Sequence, residues 1–241
     1  MSEFERTFIK HKQLMLEHLM IEGVDDPAIF KAIFLAGGPG SGKSHITKKL
    51  GLDWMGFRPV NPDTAFEYLV KKAGHEMSSF DISSSEGQKL RAHSSELSKQ
   101  QQGTSETGYV AGRLGLLLDG TGKDFDKISK LKRELESIGY ETLMVFINSD
   151  LETAQEQNKN RTRKVPADFV EKSWKSVQNN LGKFQSLFDQ RFYIVDNSPE
   201  SRGRVQDSVI NNLHVKIDSW AKSPVKNKIA NQWIEDKGGK I

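Results

Sequence analysis

The chain has 241 residues, of which 36% are hydrophobic and 28% charged, with a formal net charge of +3. That balance excludes wholesale disorder, and the length fits one α/β domain with appended helices. There are no cysteines, which excludes disulfides and thiolate metal sites, the six histidines are scattered without a metal pair, and no apolar run approaches the ~20 residues of a membrane span.

The mild positive charge accommodates acidic ligands without a strong nucleic-acid signature. The start, MSEFERTFIKHKQ, lacks the uninterrupted apolar core of a secretory signal, so a cytoplasmic protein is expected. Residues 1–30 read as a helical extension. Over residues 4–20, Phe4, Phe8, Met15 and Leu19 fall on one helical face, and Gly23 with Asp25-Asp26-Pro27 then punctuates the chain.

Short apolar segments follow at wide spacing: Ala32–Ala36, Phe57–Asn61, Leu114–Leu118, Thr142–Asn148 and Phe192–Asp196. Helical patterns lie between them, among them Thr64–Ala73 and Phe125–Ile138. Strands alternating with helices imply parallel pairing, because a parallel neighbour needs a crossover, and predict a three-layer α/β sandwich. Residues 78–107 differ, being rich in Ser, Gln, Glu and Gly. They read as a polar insertion whose middle, Glu86–Gln101, suits a helix, and whose place beside the fold suits an acceptor-side element. From Ala167 to Phe188, apolar residues recur at helical spacing as a core stripe. Residues 200–241 read as C-terminal helices that cover the core: Val205 to Trp220 forms one, Pro224 breaks it, and a shorter helix surrounds Ile229 and Trp233.

The first strand runs into Gly37-x-x-x-x-Gly42-Lys43-Ser44, the P-loop spacing in its strand–loop–helix context. Glycines admit backbone conformations closed to other residues and let N–H groups turn inward around a phosphate, and the following helix adds its positive end. The expected nucleotide-contacting set is Gly38, Pro39, Gly40, Ser41, Gly42, Lys43 and Ser44, with His45 next on the helix surface. Lys43 is expected to reach the β- and γ-phosphates of ATP and Ser44 to ligate Mg²⁺.

In a parallel sheet, ligands sit beyond the carboxyl ends of the strands. The second strand ends in Val60-Asn61-Pro62-Asp63 and the third in Leu118-Asp119-Gly120-Thr121-Gly122. Asp63 suits either a proton acceptor for an attacking hydroxyl or a stabiliser of the following helix start. Asp119, after a continuous apolar strand, suits a metal-supporting acid.

The set FLAGGPGSGKS, NPD, LLLDGTG, GYETLMVFIN and NRTRKVP resembles the zeta-toxin-like P-loop kinases, a branch related to polynucleotide kinases and small-molecule phosphotransferases. The resemblance covers about Ala32 to Asn197. It implies a five-stranded, mainly parallel sheet of order 2-3-1-4-5, ATP with Mg²⁺, an acceptor-activating acid at Asp63, and a lid over residues 156–168 bearing Arg161 and Arg163. The chain departs from the pattern after the acid, reading Thr64-Ala65-Phe66-Glu67 where family members often carry an arginine.

Arg161 and Arg163 lie ~200° apart if helical, so both reach one phosphate only if the helix ends near Arg161, an ending that Pro166 favours. The expected activity is transfer of the γ-phosphoryl group of ATP to a hydroxyl of a small acceptor, a nucleotide sugar, nucleoside or similar metabolite. The alternatives are a polynucleotide 5′-hydroxyl kinase, which needs a nucleic-acid partner, and a regulatory nucleotide-binding module with weak ATPase activity. No membrane partner is expected, and a protein inhibitor of the antitoxin type fits the resemblance.

Overall fold

Five strands, β1 (Lys31–Ala36), β2 (Arg58–Val60), β3 (Leu116–Asp119), β4 (Glu141–Asn148) and β5 (Phe192–Asp196), form one sheet in the order β2-β3-β1-β4-β5. Every neighbouring pair is parallel. The structure is a computed structural model that describes residues 23–77, 79–160 and 165–239. The expected N-terminal helix over residues 4–20 lies outside the described residues.

Side chains alternate across a strand, and here both faces are apolar. Phe34, Ala36, Leu116, Leu118, Met144 and Phe146 share one face and pack with Val177, Phe184 and Phe188. Those three belong to α7 (Ala167–Phe188). Leu135 of α5 (Phe125–Ser137) and Ala230 and Ile234 of α9 (Lys228–Asp236) complete this layer. Ile33, Leu35, Leu117, Leu143, Val145 and Ile147 point the other way. They meet Ile46 and Leu50 of α1 (Lys43–Leu50) and Ile210, Leu213, Ile217 and Ala221 of α8 (Arg204–Lys222). The result is the three-layer α/β arrangement. Each fully buried large side chain contributes ~1.5–3 kcal/mol, so truncating Phe146 in the sheet centre to alanine costs ~3–5 kcal/mol.

The polar insertion is mostly helix. Ser84 accepts the Gly87 N–H (3.0 Å) and starts α3 (Ser85–Gln102). Its buried residues are small, Gly87, Ser94 and Ser98, which lets α3 pack closely on α2 (Pro62–Lys72). α2 itself begins at Asn61, whose side chain accepts the Asp63 N–H (2.8 Å), with Pro62 in the first turn. The helix thus starts two residues earlier than the sequence pattern suggests, and Asn61 rather than Asp63 is its cap. The short α4 (Gly108–Ala111) leads into β3, and α6 (Leu151–Lys159) follows β4. Among the described residues, no helix is long and apolar enough to cross a membrane.

Candidate active site

Parallel pairing brings three strand ends together. The register sets Leu35 opposite Asp119 and Val60 opposite Leu118, so the residues that follow β1 and β2 flank Asp119. Asn61 Nδ2 donates to Asp119 Oδ2 at 2.7 Å. The loops after β1 and β3 are tied by backbone bonds, Gly37 N–H to Thr121 O and Gly120 N–H to Leu35 O, both 3.1 Å.

The P-loop turns on Gly40 (φ +77°) and Gly42 (φ +87°), in the left-handed region that side chains disfavour. At both glycines space is short as well. A Cβ on Gly40 would lie 2.1 Å from Ala154 O, and one on Gly42 would lie 2.2 Å from Asn197 Nδ2. Gly38, Gly40, Ser41, Gly42, Lys43, Ser44 and His45 line an open cleft of about 290 Å³, whose other wall is Gln157 and Asn160. Pro39 lies in the loop but does not line the cleft. α1, like α4 and α9, carries no acid in its first turn. The positive end of α1 faces the loop residues that line the cleft, a geometry that suits an anion.

Lys43 Nζ donates to Gly37 O at 2.8 Å, folding back along its own loop. The Lys43 ammonium and the Asp63 carboxylate both lie near enough to act on the Asp119 carboxyl. Burial pushes the Asp119 carboxyl above its ordinary value, Lys43 pulls it back, and Asp63 pushes it further up. Asp119 Oδ1 is buried without a hydrogen-bond partner, and Asp63 is exposed at the start of α2. The unpartnered Asp119 oxygen and the Ser44 hydroxyl are hard oxygen donors of the kind Mg²⁺ takes, and they are the groups that would hold it; Ser44 lines the cleft, whereas Asp119 and Asp63 do not. Among the described residues, no group of three or more His, Cys, Asp or Glu side chains could hold a metal ion by itself.

Sequence pattern did not single out the residues that brace this site. Trp174 Nε1 donates to Ser149 O (2.7 Å), and the Trp174 backbone lies against Gly38. Asn180, buried on α7, donates to Gly122 O (3.1 Å) and Lys123 O (2.9 Å). Asn197, directly after β5, donates to Ser41 O at 2.9 Å. Its position at the carboxyl end of a strand is the one sequence signal that pointed there. At the other wall of the cleft, α6 ends at Lys159. Asn158 is buried, its Nδ2 donating to Val165 O (2.7 Å) and its Oδ1 accepting the Val165 N–H (3.1 Å). Arg161 and Arg163 lie outside the described residues.

No protein-family model matches the chain, and no curated protein sequence does. Solved structures do match. A chain of the AvrRxo1-ORF1:AvrRxo1-ORF2 complex crystallised with ATP superposes at TM-score 0.57 and 18% identity, covering 78% of this chain and 62% of that one. This chain thus spans less than two thirds of that protein's length. A native crystal of the same complex gives TM-score 0.58 at 15% identity over 96% of this chain and 88% of that one. A protein from Chloroflexus aurantiacus, assigned provisionally as a kinase, gives 0.51 at 11% identity over 78% and 96%. At these identities the likeness is one of fold alone.

Proposed function

We propose that the chain is an ATP-dependent kinase that transfers the γ-phosphoryl group to a hydroxyl of a small acceptor such as a nucleotide sugar or nucleoside. The observation that carries this reading is the convergence of Lys43, Asp119 and Asp63 at three adjacent strand ends, beside a glycine-rich loop that lines a cleft. A P-loop alone serves motors and switches equally well. A second acid, Asp63, at the rim next to the metal-supporting one is what hydroxyl activation requires.

In this reading Gly38 to Ser44 hold the triphosphate, with Lys43 leaving Gly37 O for the β- and γ-phosphate oxygens, and His45 at the edge of the set. Ser44 and Asp119 would hold Mg²⁺, which when bound would neutralise part of the phosphate charge. The acceptor oxygen attacks the γ-phosphorus, its O–P bond forms, the bond to the β-bridging oxygen breaks, and ADP leaves. The acceptor proton passes to the Asp63 carboxylate. Arg161 and Arg163 neutralise charge gathered on the transferred group. The ATP named for the AvrRxo1 crystal supports the choice of nucleotide. That protein is crystallised with a partner chain, and a protein inhibitor of the antitoxin type is the partner class the reading carries for this chain.

The test is γ-labelled ATP incubated with a metabolite panel and 5′-hydroxyl oligonucleotides. Label on a small hydroxyl compound is the expected result. Label on oligonucleotide ends would make the enzyme a polynucleotide kinase, and release of free phosphate alone would make it a regulatory ATPase.

A further inference from the structure

The Asn197 amide sits beneath the P-loop in a chain of buried side-chain amides. Asn197 and Gln206 are both buried. Gln206 Nε2 donates to Asn197 Oδ1 (3.0 Å) and to Asp196 O (2.8 Å), which fixes which way the Asn197 amide faces. The Asn197 backbone N–H is held by Asn148 O at 2.8 Å. With its oxygen committed to Gln206, Asn197 can present only Nδ2 to the loop. One hydrogen goes to Ser41 O (2.9 Å); with the Gln157 amide turned so that its oxygen meets donors and its nitrogen an acceptor, the orientation its neighbours require, the other reaches Gln157 Oε1 (3.3 Å). The Gln157 amide then turns its nitrogen to Gly40 O (3.0 Å), while its oxygen also accepts from the Arg202 guanidinium (2.6 Å).

The Ser41 carbonyl is thereby held toward Asn197, a residue that does not line the cleft. The consequence lies in the peptide plane. In a planar trans peptide the C=O and the following N–H point in opposite directions. Fixing Ser41 O toward Asn197 therefore aims the Gly42 N–H at the cleft. Among the described residues no acceptor meets that N–H, so it is available to a ligand oxygen. Gly42 also has to be glycine for a second reason, since Asn197 Nδ2 occupies the space its Cβ would fill.

We propose that Asn197, oriented by Gln206, is the positioning residue that holds the Ser41–Gly42 peptide in its phosphate-binding orientation. Without that donor the peptide is free to rotate and the nest loses an amide. The inference rests on the nucleotide-binding reading above and assigns a role to a residue that touches neither nucleotide nor acceptor.

The test is Asn197→Asp, which keeps size and shape and replaces the donor by a carboxylate that repels Ser41 O. Calorimetry with MgATP and with inorganic tripolyphosphate, at neutral pH, reads the nest with and without the rest of the nucleotide. Both affinities are expected to fall ~10–100-fold, the loss of one charge-assisted hydrogen bond. In turnover assays the KM for ATP rises with kcat little changed, because the amide binds ground and transition states alike. A merely structural Asn197 would move the ligand-free melting temperature and leave tripolyphosphate affinity alone, and that result overturns the proposal. If Asn197→Asp does not fold, Gln206→Met carries the same test, with an expected loss of ~3–10-fold from the freed Asn197 amide, and unchanged affinity is again fatal. A wild-type protein that binds neither probe refutes the nucleotide-binding reading itself, a failure distinct from a variant that matches the wild type.

Discussion

Asn61 bridges two acids with one side chain: its Nδ2 donates to Asp119 Oδ2 at 2.7 Å while its Oδ1 accepts the Asp63 N–H at 2.8 Å. The amide fixes the start of α2 relative to the end of β3, and so fixes where the Asp63 side chain leaves the backbone. One oxygen of Asp119 is thus satisfied by protein and the other is left buried without a partner.

Asp119→Asn is therefore expected to stabilise the ligand-free protein. Burial raises the Asp119 carboxyl, so between the unfolded-state value near ~3.9 and its folded value the native state binds the extra proton. Stability then falls as pH rises through that window, and above it the ionised carboxylate is a cost that asparagine removes. Thermal melts at pH 7 should show the variant a few degrees above the wild type without ligand, and without the wild type's added stabilisation by MgATP. A variant that melts lower in the absence of ligand removes the strained-carboxylate account.

Lys43→Ala is expected to lower phosphoryl transfer by ~10²–10³-fold or more, the cost of deleting one group that stabilises developing charge. It also removes the cation that pulls the Asp119 carboxyl down, so the ligand-free variant should melt below the wild type at pH 7. The double variant Lys43→Ala, Asp119→Asn should recover that melting temperature but not the activity. Recovery of activity would show that Lys43 serves only to neutralise Asp119.

Asp63→Asn tests the base. The Asp63 backbone N–H keeps its bond to Asn61, so the helix start and the P-loop should stand unchanged. Turnover is expected to fall ~10²–10⁴-fold, the range for loss of a general base, with ATP affinity within about twofold by calorimetry on the scale where 1.4 kcal/mol is tenfold. Near-normal turnover would leave Asp63 only a helix-start role.

The sheet was largely legible because parallel strands buried on both faces are runs of apolar residues, and the span of β5 and of α7 is the one the pattern predicts. β3 was read as Leu114–Leu118 and begins at Leu116. Leu114 is buried like a strand residue, yet its N–H closes a turn on Tyr109 O (3.1 Å) after Arg113 at φ +57°, so burial and pairing part company there. The P-loop was legible because its constraint is local, glycines and a lysine at fixed spacing. Asn197 and Gln157 were not, because their partners lie far along the chain. Asn197 meets Ser41 across 156 positions, a relation that no window of sequence contains.

The base of the sheet carries the last prediction. Glu141, at the start of β4, accepts from Lys31 Nζ (2.9 Å), Trp220 Nε1 (3.1 Å) and the Lys226 N–H (3.1 Å), with Arg191 at 3.3 Å. Burial alone would raise this carboxyl, but the bonds from Lys31 and Lys226 and the charges of Lys31 and Arg191 together hold it below its ordinary value. A depressed folded value means that the unfolded chain takes up the proton first, so the pair's stabilisation is full above ~4.3 and is lost as pH falls through the folded value. Glu141→Gln strands the Lys31 ammonium, which is almost wholly buried, and is expected to cost ~3–5 kcal/mol at pH 7. Denaturant titrations should show that loss at pH 7 and a smaller gap between variant and wild type as the pH drops below 4. Lys31→Met in the same chain should restore part of the loss, since it removes the uncompensated charge. A gap that stays constant with pH would mean that Glu141 stabilises the fold by packing and neutral hydrogen bonds rather than as a carboxylate.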